Sequence, residues 1–215
     1  TPEEAREIAA QLGRPVVVKA QILVTKRASL GGIQFVGDPE EAAQVAGRML
    51  GAVMGGIRVE KVFVEARQEV KREYFVSIFV DDTHQGPVLL CSQAGGTGIE
   101  ELAKTQPDKV VIFPIDQREG LHEFQARNVL IGIGVPSAEL AGLAEILVKL
   151  YKVARKYEAR SAEINPLALL ADGKFLALDA RVAVDDNAIF RHPELGIEVA
   201  REFSHPATDL EKTAY

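Results

Sequence analysis

One cysteine, Cys91, is all that 215 residues provide. An internal disulfide and a cysteine-based zinc site are therefore excluded, and the usage fits a reducing compartment. Basic clusters are missing too. With a net charge of −6, a nucleic-acid partner is not expected, although a few local cations suffice to hold the phosphates of a nucleotide. No apolar run reaches the length needed to span a bilayer, so no membrane partner is expected and a cytoplasmic location is. The four histidines, His84, His122, His192 and His205, have neither metal-ligand spacing nor a catalytic partner. A nucleophile elbow, a Ser/His/Asp arrangement and a dinucleotide fingerprint are absent. Gly31-Gly32 is followed by no Lys-Ser/Thr pair, so it is not a P-loop.

What remains is an ordinary globular composition, 47% hydrophobic and 26% charged, in a chain long enough for one domain or two lobes. Thr1-Pro2-Glu3-Glu4 has the form of a helix start, with Thr as N-cap and Glu three residues on. A chain that opens on a helix cap without methionine is expected to have lost residues from that end. The same form recurs at Asp38-Pro39-Glu40-Glu41 and predicts a helix running towards Gly51. Residues 15–20 and 33–36 read as paired strands joined by a polar loop. Alternating apolar and charged residues over 57–65 predict one half-buried strand. Hairpins are predicted at 74–91 and 161–184, a short helix from Ile99, a strand at 110–115 and helices at 121–131 and 137–157. The tail after Phe190 is weakly patterned. Antiparallel hairpins in this order make the fold class α+β.

The most chemically suggestive stretch is Glu163-Ile164-Asn165-Pro166, followed fourteen residues after the Asn by Asp179. Asp172-Gly173 between apolar segments signals a tight hairpin. If Gly173 takes the left-handed position of a three-residue loop, Leu170 faces Lys174 and Asn165 faces Asp179. Glu163 then shares the face of Asn165. Three oxygen-bearing side chains on one patch suit Mg²⁺, which is usually held by one or two carboxylates together with phosphates and water. A two-residue loop would put Asn165 and Asp179 on opposite faces, and a solvated hairpin face is the plainer alternative. Lys19 ends an apolar strand and Arg27 sits in the following loop, which suits phosphate, although a snorkelling Lys and a solvated Arg would look the same. Glu65 and Glu73 flank a connecting segment, where they could accept hydrogen bonds from a ribose or pair with Lys19, Lys71 or Arg72. Cys91, within an apolar strand, reads as core.

Val-Val-Lys-Ala-Gln at 17–21, Phe-Val-Glu-Ala at 63–66, Glu73-Tyr74, Gly95-Gly96, Glu-Ile-Asn-Pro-Leu at 163–167, Leu-Asp-Ala-Arg at 178–181 and Asp-Asp-Asn-Ala-Ile-Phe-Arg at 185–191 together resemble one family. It is the ATP-grasp region of the succinyl-CoA synthetase beta subunit, shared with malate-CoA ligase, citryl-CoA synthetase and ATP citrate lyase. The resemblance implies a two-lobed ATP-grasp fold, incomplete at its N-terminus and without the C-terminal CoA-ligase domain. Its small lobe would span 1–68 and its large lobe 69–191, with 192–215 as a tail and the nucleotide between the lobes. It implies that Lys19, Lys26, Arg27 and Ala28 contact the phosphates of ATP, or of GTP. Glu65, Gln68 and Glu73 would line the adenosine end. Asn165 and Asp179 would be the Mg²⁺ ligands, with Glu163 the catalytic acid beside them. The partner would be an alpha subunit carrying a phosphohistidine and the CoA site, and the complex would join a small organic acid to CoA. In a eukaryote the location would be the mitochondrial matrix. Two features depart from the family: Thr25, Lys26, Ala28, Ser29 and Leu30 replace most glycines of the phosphate loop, and no acid precedes the paired glycines after Ser92. They point to a divergent branch. An ATP citrate lyase or citryl-CoA synthetase subunit, or a non-catalytic ATP-grasp partner, are the alternative readings.

Overall fold

A computed structural model describes residues 1–24, 27–93, 95, 105–197 and 210. The chain divides into two compact units, Thr1–Glu69 and Val70–Tyr215.

In the first unit, helix α1 (Pro2–Leu12) and helix α2 (Pro39–Met49) accompany a three-stranded antiparallel sheet. The strand order is β2 (Ile33–Val36), β1 (Val16–Ala20), β5 (Val62–Ala66). Side chains alternate across a strand, and Val16, Val18 and Ala20 enter a core with Ala9, Val36, Ala42, Val45 and Met49. Burying each such valine contributes roughly 1.5–3 kcal/mol. The opposite face of β1 carries Val17 and Lys19. Thr1 forms the full capping box, its Oγ1 accepting from the Glu4 amide at 3.2 Å. The second cap is only half as predicted. Asp38 accepts from the Glu41 amide at 2.8 Å, but the Glu41 carboxylate accepts from the Gly37 amide rather than from Asp38.

The predicted strand over 57–65 is two elements. Among the described residues strand β4 (Ile57–Arg58) pairs with β3 (Val53–Met54) alone, and the chain resumes as β5 at Val62. The cause is Val59, which is 1% exposed and belongs to the core. Its amide donates to Ala52 O at 2.9 Å and its carbonyl accepts from Gly51 at 2.8 Å, which ties it to the preceding hairpin.

The second unit is built on an antiparallel sheet in the order β10 (Phe175–Ala177), β9 (Ala159–Leu170), β6 (Val70–Asp81), β7 (Gly86–Ser92), β8 (Val110–Pro114), with β11 (Ala180–Val184) also paired to β9. Helices α3 (Glu123–Gly132) and α4 (Ser137–Lys156) cover one face. The core gathers Tyr74, Val76, Ile78, Leu89, Cys91, Leu130, Leu143, Leu147, Ala162 and Leu167. Because Tyr74, Val76 and Ile78 point inward, Glu73, Phe75 and Ser77 point to the other face. Strand β6 begins at Val70, earlier than the Tyr74 start expected from the sequence. Asp186–Arg191 and Pro193–Leu195 form short 3₁₀ helices of two turns and one. The short helix expected from Ile99 and most of the tail lie outside the described residues. No helix among the described residues is long and apolar enough to cross a membrane.

Candidate functional site

In the second unit the hairpin closes as a three-residue loop. The Leu170 amide donates to Lys174 O at 2.8 Å, the Gly173 amide donates to Leu170 O at 3.0 Å, and Gly173 has φ 84°. That left-handed conformation is cheap for glycine and strained for other residues. Pairing of Phe175 with Leu169 and of Ala180 with Ile164 carries the same register along both sides. Asn165 therefore stands opposite Asp179, and its amide donates to Asp179 O at 3.0 Å. Against β6 the strand bulges: Tyr74 pairs with Leu167 and Val76 with Ile164, so Asn165 and Pro166 together oppose Phe75. A bulge re-aims side chains, and such irregularities are over-represented beside active sites.

Glu163 lies on the same face, paired across the sheet with Arg181 of β11 on one side and Ser77 of β6 on the other. Burial pushes its carboxyl above the usual carboxylate range. A side-chain hydrogen bond with Asn165 and the charge of Arg181 pull it back, and the charge of Asp179 raises it again. The electrostatic contacts therefore join Glu163, Asn165, Asp179 and Arg181 in one patch. Among the described residues no three or more His, Cys, Asp or Glu side chains form a metal-holding group. A cation on this patch would lean on the Asn165 amide and on oxygens brought by something else.

Glu73 is on the same face of the sheet, paired with Ala168. Gly95 packs over this region: an added Cβ would meet Pro166 Cβ at 2.8 Å, Glu73 Cβ at 3.0 Å and Tyr74 O at 3.1 Å. Only glycine lets the backbone come this close. The remaining glycine-cluster residues, Gly96, Thr97 and Gly98, lie outside the described residues.

In the first unit, Lys19 is 7% exposed and its ammonium is ion-paired with the Glu65 carboxylate. The register explains the pair, because Lys19 faces Phe63 and Val17 faces Glu65, which makes Lys19 and Glu65 diagonal neighbours on one face. Arg27 turns back on the strand end and donates from Nη1 to Ala20 O at 3.1 Å. The loop behind it is tight: Gly31 and Gly32 donate their amides to Ala28 O and Arg27 O, both at 3.0 Å. A Cβ on Gly32 would fall 2.8 Å from Arg27 Cγ. Gln68 donates to Ala66 O at 3.2 Å and accepts from Arg14 at 3.4 Å. Lys26 lies outside the described residues.

Three residues carried no assigned role in the sequence reading: Arg181 and Ser77 beside the site, and Glu139 on the helix-covered face of the same sheet. Arg181 was available from the register that pairs Asn165 with Asp179, continued by two residues. Ser77, buried at 4% exposure, had no signal. Glu139 is buried on α4, where its spacing with Leu143 and Leu147 puts an acid on the apolar side of the helix. It accepts a hydrogen bond from the Tyr74 hydroxyl and lies 3.8 Å from Arg72.

A two-unit fold with an oxygen-rich hairpin and a strand-borne lysine defines a class, and an ATP-grasp domain matches residues 1–169. The chain belongs to the ATP-grasp domain family. It is 43% identical over 196 residues to the ADP-forming succinate–CoA ligase subunit beta of Chloroflexus aurantiacus, covering 91% of this chain and 52% of that protein. It is 39% identical over 206 residues to the GDP-forming succinate–CoA ligase subunit beta of Thermus thermophilus, covering 96% of this chain and 54% of that protein. The chain thus spans about half the length of these relatives. Among solved structures, ATP citrate lyase from Methanothrix soehngenii, in complex with citrate and coenzyme A, superposes with a TM-score of 0.72 at 23% identity, over 94% of this chain and 47% of that one. The dinucleotide-forming acetyl-coenzyme A synthetase 1 of Ca. Korarchaeum cryptofilum, in complex with coenzyme A and Mg-AMPPCP, gives 0.61 at 19% identity, over 86% and 83%. At these identities the likeness is one of fold.

Proposed function

We propose that this chain is the nucleotide-binding part of an acid–CoA ligase beta subunit that uses Mg-ATP, or Mg-GTP, to phosphorylate a histidine on a partner alpha subunit. The observation that carries the reading is the convergence of Glu163, Asn165 and Asp179 on one hairpin face. Two carboxylates and an amide match the hard-oxygen preference of Mg²⁺. Asn165 and Asp179 would hold the ion and Glu163 would orient its shell. The ion would neutralise charge on the transferring phosphates. Lys19, buried and steered by Glu65, suits a phosphate as a fixed point charge, and Arg27 brings a planar donor fork beside it. Lys26 and Ala28 complete the proposed phosphate loop, and Glu65, Gln68 and Glu73 the adenosine end. The succinate–CoA ligase relatives, near 40% identity, support this branch over ATP citrate lyase, to which the likeness is in fold. The relatives include ADP- and GDP-forming proteins, so both nucleotides belong in the test.

Calorimetric titration with Mg·ATP and Mg·GTP tests the reading. Measurable binding of one of them is expected, weakened at least about tenfold in Asp179→Asn with the fold retained, as for loss of a charged ligand. Affinity that is equal in Asp179→Asn and the parent would remove Asp179 from the metal site.

A further inference from the structure

We propose that Arg181 is a built-in counter-cation that makes the hairpin patch selective for a metal ion accompanied by polyphosphate over the bare metal ion. The inference deepens the metal-site reading above and rests on it. Its basis is position. Arg181 stands directly across β9–β11 from Glu163, which has Ser77 as its partner on the other side. Asp179 lies in the bend just before β11, two residues ahead of Arg181, and its charge and that of Arg181 both act on Glu163. The patch therefore holds two carboxylates and one guanidinium, one net negative charge in all.

One net charge and one amide are a weak offer to a divalent ion, which must shed tightly held water to bind. Among the described residues no third acidic side chain joins the patch, so Arg181 cancels half of the charge that the two carboxylates would offer a cation. Phosphate oxygens restore it. A metal ion that arrives with its own anions brings both the missing ligands and a charge that the guanidinium attracts. The charge of Arg181 already acts on Glu163, countering part of the effect of burial and of Asp179. Arg181 is itself exposed, so it is a positioning and charge-setting residue and is not required for packing.

Under water-like screening two unit charges about 4 Å apart interact by about 1 kcal/mol, so a full charge on a neighbouring side chain changes the affinity of a divalent ion roughly tenfold. The test measures Mn²⁺ binding to the 215-residue chain by electron paramagnetic resonance, without and with ATP, in the parent, Arg181→Gln and Arg181→Lys. Arg181→Gln is expected to bind bare Mn²⁺ about tenfold more tightly, with a smaller gain in affinity on adding ATP. Arg181→Lys is expected to match the parent in both conditions. Bare Mn²⁺ affinity within twofold of the parent in Arg181→Gln overturns the proposal. So does an Arg181→Lys variant that shifts as far as Arg181→Gln, because shape and not charge would then matter. Asp179→Asn serves as the control: Mn²⁺ binding that does not weaken in it removes the metal patch itself, an outcome distinct from a failure at Arg181 alone.

Discussion

Glu163 and Cys91 show how position decides what an ionisable side chain can do. Glu163 is half-buried, which disfavours its charge, yet an amide and a guanidinium are set beside it to support that charge. Cys91 has no such help. It is fully buried in the core of the second unit, and burial pushes its thiol up to about 12. At pH 8 roughly one molecule in ten thousand would carry the thiolate, the form that attacks electrophiles. In the native protein Cys91 is expected to resist a disulfide reagent such as dithionitrobenzoate for hours and to react fully within minutes in denaturant. Rapid stoichiometric reaction under native conditions would show that the β7 core opens readily. Lys19 is the reverse case: it is nearly as buried, but the Glu65 carboxylate is ion-paired with it.

At the level of elements, the hairpin and helix α4 illustrate what a sequence reveals and what it hides. Asp172-Gly173 predicts the loop, the loop sets the register, and the register places Asn165 opposite Asp179, all from local chemistry. Arg181 follows from that same register, and the buried Glu139 from helical spacing. The split of 57–65 does not follow, because it depends on Val59 finding space between helices and strands distant in sequence. The bulge at Asn165-Pro166 is equally non-local, set by pairing with β6. Tyr74 and Glu139 join two elements 65 residues apart, and burial, followed by the Glu139 contact, raises the tyrosine pKa above its ordinary value. A raised folded-state value means that this contribution to stability is complete below about pH 10 and is lost as pH rises through the folded value. Tyr74→Phe leaves the Glu139 carboxylate without that donor and is expected to cost about 1–3 kcal/mol in urea unfolding at pH 7. A cost below about 0.5 kcal/mol, the floor for a net hydrogen bond, would mean that Arg72 or water satisfies Glu139 instead.

For the whole molecule, the proposed function draws on groups in each of the two units. The first has a buried Lys19–Glu65 pair and an arginine loop; the second has the oxygen-rich hairpin. Phosphoryl transfer also needs an acceptor held in line with the γ-phosphate. The described histidines do not qualify. His84 sits in the turn between β6 and β7 and is bonded to Asp81. His122 stacks on Phe124 at the start of α3. His192 lies between Glu158 and Glu194. None is paired in the sheet with Glu163, Asn165 or Asp179. The chain also spans about half the length of its succinate–CoA ligase relatives. On the function proposed above, these 215 residues are expected to bind nucleotide without making a thioester on their own. Incubated with ATP, Mg²⁺, CoA and a panel of di- and tricarboxylic acids, they should yield no acyl-CoA above background in a chromatographic assay. Activity is expected only when a partner supplies the histidine and the CoA site. Acyl-CoA formed by this chain alone would place both within these 215 residues and would reassign one of the histidines as the phosphoryl acceptor.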